Sequence, residues 1–306
     1  MREGAPVQIR ELREADAPAL LDLWARSAPH DPLSPALLRE KVWEEPHPGP
    51  RLAATDPHGA LVGVAVGAMW GPPNGTRGTT KLIAVAPERR REGIGGRLLA
   101  RVEAGLVGLG ATHLRIAECS PNYLVPGVDL RYTPGWLFVQ KHGYEPAGEA
   151  VNMDVDLAAE AWNTADAEAA LAGQGVGVRR ATPADAPALR AFLDAHWPAW
   201  NAEVSAALAN RPPTLHLALR GGALLGFSAH DANNRGTGWF GPMGTAPEAR
   251  GLGIGGVLCR RCLRDLAEAG HARATIPWVA PVGFYAHHAG AHVARVFHRF
   301  EKRVGR

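Results

Sequence analysis

Two stretches of this chain are equipped to hold an anion. ERRREGIGGRLL (Glu88 to Leu99) and EARGLGIGGVLC (Glu248 to Cys259) both spell Arg-x-x-Gly-x-Gly-Gly, follow a proline, and run into an apolar segment with helical spacing. The first turn of a helix has unpaired N–H groups and the positive end of the helix dipole, and glycines let an anion approach that backbone closely. Arginine adds charge at the rim. A plainer alternative stays open for either copy taken alone, namely that the glycines only permit a tight strand-to-helix turn. Two copies with the same arginine spacing count against it.

Other phosphate motifs fit less well. Gly251-Leu-Gly253-Ile-Gly255-Gly256 also satisfies the dinucleotide pattern Gly-x-Gly-x-x-Gly, but the first copy has Arg91 at the leading position. Ala-Pro-Glu-Ala-Arg separates strand from glycines, and the next strand, Arg273 to Trp278, carries no acid for a ribose. No Gly-x-x-x-x-Gly-Lys-Ser/Thr loop occurs, so nucleotide hydrolysis is not indicated.

The elements that must position these loops are themselves duplicated. Gly93, Gly95 and Gly96 match Gly253, Gly255 and Gly256 at an offset of 160, and Ala-Asp-Ala-Pro-Ala-Leu recurs at Ala15 and Ala184, an offset of 169. Each copy opens on an alternating strand at Val7 or Val176. A helix follows, for which Asp16 or Asp185 is the expected cap. Next come a Pro-rich segment, a strand pair, and a strand (Thr79 to Val85, Gly238 to Thr245) that leads into the glycine loop. The helix after the loop should stop at Gly110 or Gly270, followed by a fifth strand, a shorter helix and a closing strand pair. The expected organisation is an N-terminal domain over 1–157, an Ala-rich helix and linker over 158–175, and a C-terminal domain over 176–306.

Bulk properties restrict the function class. Over 306 residues the formal charge is +3 with scattered arginines, which does not favour nucleic acid as a partner and leaves room for a small anionic ligand. No signal-like segment opens the chain, and the longest apolar stretch, Ala60 to Trp70, is too short for a bilayer. Three cysteines do not make a disulfide framework, so a cytoplasmic enzyme is the expected class. Asn74-Gly75-Thr76 is a sequon read here as a turn.

The residues resemble the GNAT superfamily of acyl-CoA-dependent N-acyltransferases, whose signature is a strand ending in Val/Thr-x-Pro-Glu, then Arg/Gln-x-x-Gly-x-Gly/Ala, then a helix. Val85-Ala-Pro-Glu and Thr245-Ala-Pro-Glu, with the loops behind them, match it twice. The resemblance implies a fold of class α/β (α+β): two tandem lobes, each a mixed, mostly antiparallel split sheet flanked by helices. It implies acetyl-CoA as cofactor. The amides of Arg90, Arg91, Gly93, Ile94, Gly95 and Gly96, and of Arg250, Gly251, Gly253, Ile254, Gly255 and Gly256, would hold the pyrophosphate. Strand ends Ile83, Ala84 and Val85, and Met243, Gly244 and Thr245, would pair with the pantetheine arm, and Asn122 would contact the cofactor. The implied activity is N-acetyl transfer to a primary amine of a small molecule or peptide; a non-catalytic acyl-CoA sensor or scaffold is the alternative. The resemblance needs no metal, nucleic acid or membrane, and fixes no oligomeric state.

In the family a tyrosine on the short helix after the fifth strand is often the acid. Phe284-Tyr285 fits that place, while Phe138-Val139 occupies it in copy one, where Tyr123 or Tyr132 would have to substitute. A phenol with a pKa of about 10 is protonated at neutral pH and can donate to a thiolate; core and rim aromatics are the plainer account of the same pair. Candidate bases are Glu118 and His230 beside Asp231, with a core-edge carboxylate the bland alternative for Glu118. Cys259 and Cys262 lie too far into their helix for an activated thiol and read as buried. His287, His288 and His292 would suggest a metal only on an unbroken helix, and Gly290 interrupts it. Trp197, Trp200, Trp239 and Trp278 are core aromatics or the lining of an apolar acceptor pocket.

Overall fold

The computed structural model describes residues 6–70 and 76–304. Asn74 and Gly75 of the sequon therefore lie outside the described residues. The chain forms two compact units, Met1–Ala150 with Phe297–Arg306, and Val151–Val296.

The first unit runs β1 (Gln8–Glu11), α1 (Ala17–Ser27), α2 (Pro35–Leu38), β2 (Pro48–Thr55), β3 (Leu61–Trp70), β4 (Arg77–Val85), α3 (Ile94–Gly108), β5 (His113–Ile116), β6 (Val128–Asp129), α4 (Thr133–Lys141) and the first half of β7 (Glu145–Asp156). Helix α2 continues into a π-helical turn, Arg39–Trp43. Strands β1 to β4 pair antiparallel in order, and β4 pairs parallel with β5. Apolar residues on alternate strand positions build a core on each face. Leu20, Leu23 and Trp24 of α1 meet Val64, Val66 and Leu82 on one side; Leu98, Val102 and Leu106 of α3 meet Ala65 and Leu114 on the other. Each such fully buried leucine stabilises the fold by about 1.5–3 kcal/mol.

The second unit repeats the plan with the second half of β7, α5 (Ala165–Gly173), β8 (Val176–Arg180), α6 (Ala186–His196), α7 (Asn201–Ala209), β9 (Leu215–Arg220), β10 (Ala223–His230), β11 (Phe240–Thr245), α8 (Ile254–Glu268), β12 (Arg273–Ile276), α9 (Val282–Ala289) and the first part of β13 (His292–Arg303). Strands β8 to β11 form an antiparallel sheet, and β12 joins it through a parallel bridge between Trp239 and Thr275.

Two local expectations take a different form. Asp16 and Asp185 stand at the N-cap positions of α1 and α6, but their side chains bond no amide of those helices. Their carboxylates accept from the amides of Arg13 and Thr182 at 2.8 and 2.7 Å, closing a single 3-10 turn ahead of each helix, and each holds an arginine of the opening strand, Arg10 or Arg179. The closing strand pair of each copy is one strand of 12 residues, β7 or β13. These strands are exchanged. Glu301, Lys302 and Arg303 of β13 pair with Arg115, Leu114 and His113 of β5 in the first unit, and Met153 to Asp156 of β7 pair with Ile276 to Arg273 of β12 in the second. The segment 158–175 lies within the second unit, where Leu171 of α5 is buried with Val176 and Leu258.

Candidate active site

Both glycine loops have the same backbone. Gly93 and Gly253 cap α3 and α8 in the left-handed region, at φ 80° and 86°, and the position two residues earlier is also left-handed in each: Arg91 at 71°, Gly251 at 83°. A Cβ built at Gly93, Gly251 or Gly253 meets nothing within 4 Å, so open space lies before the helix amides. On the inner side the helices are pressed closely. A Cβ on Gly95 would lie 3.2 Å from the Phe138 ring and one on Gly255 3.2 Å from Phe284; Gly96 and Gly256 face His142 and His288 in the same way. These glycines therefore serve both roles weighed from the sequence, an approachable outer backbone and a close inner one. Arg90 is not free at the rim: it donates to Val85 O at 3.3 Å and Ser27 O at 3.2 Å.

The strand ahead of each loop leaves its neighbour. The register of β4 with β5 ends at Thr80 and Ile116, followed by one bond from Ala117 N to Thr80 O at 2.9 Å. Ile83 to Val85 pair with β3 on one side and, among the described residues, with no strand on the other. In the second unit Thr275 N donates to Gly238 O at 2.9 Å, after which β11 and β12 part in the same way. Each sheet thus has a split open toward its glycine loop. A bulge marks the apex: Val66 and Gly67 pair with Leu82 and Thr80, leaving Lys81 as the extra residue, and β11 is irregular at the matched Gly241.

Around Lys81 lies a group of charges that the sequence reading missed. Its ammonium donates to Glu45 Oε2, with side-chain exposures of 0% and 2%. Lys41, also buried, donates to Glu40 Oε1 at 2.7 Å and Asn122 Oδ1 at 2.9 Å, while Asn122 donates to Glu45 Oε2 at 3.1 Å. Asn122 is committed to this network on the α1 side of the sheet. One signal was available: Lys81 is the sole charge in an otherwise uncharged strand, Thr79 to Val85.

The other candidates fall as follows. Tyr285 and Val139 occupy matched places, since their preceding phenylalanines pack on Gly255 and Gly95. The Tyr285 ring is 8% exposed and meets Phe240 edge-on at 5.8 Å; burial pushes its phenol above the ordinary tyrosine range. Glu118 is fully buried, receives Arg299 Nε at 2.6 Å and pairs with Arg115 at 3.1 Å; burial raises its pKa despite them. His230 is the centre of another network. Its Nδ1 and Nε2 face Asp231 and Asp265 carboxylates, each at 3.3 Å, and although burial opposes charge, these bonds raise its pKa. Asp265 Oδ2 also takes His216 Nε2 at 2.7 Å and Arg180 at 2.8 Å. Neither candidate base is a free group: Glu118 is held by arginines, and His230, which pairs with Phe240 beside the irregularity at Gly241, is held by Asp231 and Asp265. Tyr132 accepts from His30 N at 2.9 Å, and Tyr123 is buried. Cys259 and Cys262 are buried thiols, the former pushed up to about 12 by burial. His288 packs on Phe284 at 4.6 Å. The Trp197 ring covers Gly244, 2.6 Å from a Cβ built there, and stacks on Trp200 at 5.3 Å.

Two tandem split-sheet lobes, each with a glycine loop at the mouth of its split, define the class of protein. The model of the acetyltransferase (GNAT) family matches residues 9–125 and again 181–290, and the chain belongs to that family. Among solved structures the chain resembles a GCN5-related glucosamine N-acetyltransferase region of a fungal multi-domain β-N-acetylglucosaminidase (TM-score 0.85, 18% identity, 98% of this chain), of which it spans 38%. It also resembles a GCN5-related N-acetyltransferase from Sphaerobacter thermophilus (0.71, 19% identity, 99% of this chain and 98% of that one). A third is a tandem GNAT protein from the clavulanic acid biosynthesis pathway (0.71, 15% identity, 98% and 99%). No curated protein matches the sequence significantly. Among the described residues no helix is long and apolar enough to cross a membrane.

Proposed function

We propose that the protein transfers an acetyl group from acetyl-CoA to a primary amine, and that the C-terminal lobe carries the chemistry. The observation behind the choice of lobe is Tyr285 standing where Val139 stands in the other lobe, on helices packed alike against Gly255 and Gly95. Acetyl-CoA supplies the activated carbonyl and the thiol leaving group. The open backbone at Gly251 and Gly253, with the first amides of α8, suits a pyrophosphate. The free edge of Met243 to Thr245 offers peptide groups to an extended arm and a dipole to its carbonyl. Tyr285, protonated at neutral pH, donates to the departing sulfur. The incoming ammonium loses its proton to water, because Glu118 and His230 are tied to arginine and aspartate.

The test is thiol release from acetyl-CoA with a panel of primary amines, an amino sugar included because one structural relative is a glucosamine N-acetyltransferase. Tyr285→Phe should keep acetyl-CoA affinity and lose turnover; equal loss of both sinks the assignment. The engaged state of both candidate bases favours one other reading, an acyl-CoA sensor or scaffold. Turnover with any amine excludes it.

A further inference from the structure

The N-terminal lobe has the same loop and the same split, yet the apex of its split is filled. We propose that Lys81, held by Glu45, occupies the place where an acceptor amine would enter, so that this lobe holds acyl-CoA without passing its acyl group on. The inference rests on the loops being acyl-CoA sites.

Four observations carry it. Position comes first: Lys81 is the residue immediately beyond the last β4–β5 pair, at the bulge, where an arm lying along Ile83 to Val85 would present its reacting end. Second, the place is closed. Lys81 and Glu45 are buried, and Lys41, Glu40 and Asn122 form a further hydrogen-bonded layer against them. Among the described residues two lysines are set against two glutamates in this network, which offers little net charge to a cationic amine. Third, the groups around it are poorly suited to react with a thioester. An ammonium bound to a carboxylate has no lone pair, the adjacent Cys119 thiol is pushed up to about 12 by burial, and Val139 offers no proton to a leaving thiolate. Fourth, the C-terminal lobe has Gly241 at the position of Lys81, and a Cβ built there meets nothing within 4 Å. One lobe carries a buried ammonium at the bulge and the other a glycine with open space beside it.

The experiment uses the full chain with Gly251→Glu, which places a carboxylate before the C-terminal loop at a position whose counterpart, Arg91, accepts a side chain. At acetyl-CoA concentrations that fill only the unmodified N-terminal site, and with Tyr285→Phe added to silence the other lobe, calorimetry should show the N-terminal lobe binding, and thiol release with small primary amines should stay at the solution rate. Adding Lys81→Gly with Glu45→Gln should raise thiol release by about tenfold or more, while affinity stays within about twofold. Lys81→Met with Glu45→Leu keeps the apex filled and should give no gain. Turnover by the Gly251→Glu protein with Lys81 in place, or an acetyl adduct on Lys81 itself, overturns the inference. So does an opened lobe that binds acetyl-CoA and gains nothing. Should the opened variant fail to fold, the first measurement still decides. Failure of the unmodified chain to bind acetyl-CoA overturns the proposed function; binding with amine turnover in the N-terminal lobe overturns this inference alone.

Discussion

The two lobes share a backbone and differ in what occupies its centre. In the N-terminal lobe ionic groups gather at the split apex, Lys81 with Glu45 and Lys41 with Glu40, while between α3 and the sheet Gly67 and Gly105 pack on Pro50 and a single carboxylate of α3, Glu103, is held by Lys302. The C-terminal lobe inverts this. Its apex carries Gly241, and its charges lie deep between α8 and the sheet, where Asp265 gathers Arg180, His216 and His230. A duplicated fold can thus place its buried polar groups in either of two compartments. Where they sit decides which compartment stays open.

Five substitutions test the comparison, taken from the largest expected effect. Tyr285→Phe should lower turnover by about 10² to 10⁴ with acetyl-CoA affinity unchanged, read by thiol release and calorimetry; a full rate in this variant would break the asymmetry outright. Asp265→Ala strips a buried carboxylate from two histidines and should cost about 3 kcal/mol of stability by denaturant melting. Arg180, one third exposed, can turn to water and moderate the loss. The third test is a matched pair. Gly251→Glu and Arg91→Glu put the same carboxylate before each anion site and should each weaken acetyl-CoA binding to that lobe by about 10- to 100-fold. Only Gly251→Glu should reduce turnover. Glutamate at Gly95 or Gly255 is a poorer probe, because it would displace Phe138 or Phe284.

The smallest effect concerns pH. His230 has its pKa raised, so its stabilisation is present below its unfolded value of about 6.5 and is lost as pH rises through the folded value. His216 is lowered by burial and works in the opposite sense, costing stability as pH falls below 6.5. Asp265 stays ionised until well below the usual carboxylate range, even though burial opposes it, and its contribution disappears as pH falls further. The two windows meet near the unfolded value of about 6.5, so melting should be highest there and decline to either side. His230→Asn should remove the decline above about pH 6.5 and keep the fall below it; an unchanged profile would show that His230 contributes nothing through a raised pKa.

Much of this was legible where the signal is local. The glycine loops, the helices behind them and the alignment of Tyr285 with Val139 follow from short spacings, and the structure bears out the buried thiols at Cys259 and Cys262 in the same way. Lys81 was visible as a lone charge in a strand, but its meaning depends on Glu45, 36 residues away, and on a bulge set by β3. The role of His230 was masked likewise, since Asp265 is 35 residues distant on another element. The destination of β7 and β13 was not legible at all. An alternating strand states which face is buried and not which neighbour it will take.

That exchange sets an order of events at the ribosome. The N-terminal lobe is made first, yet β5 must wait for Glu301, Lys302 and Arg303 before its edge is covered. Until then β5 presents unpaired backbone, the kind of edge that recruits foreign strands. Pairs separated by nearly two hundred residues also place the last closure among the slow events of folding. Splitting the gene between its two copies would therefore not yield two finished domains, and each half would need the other supplied in trans.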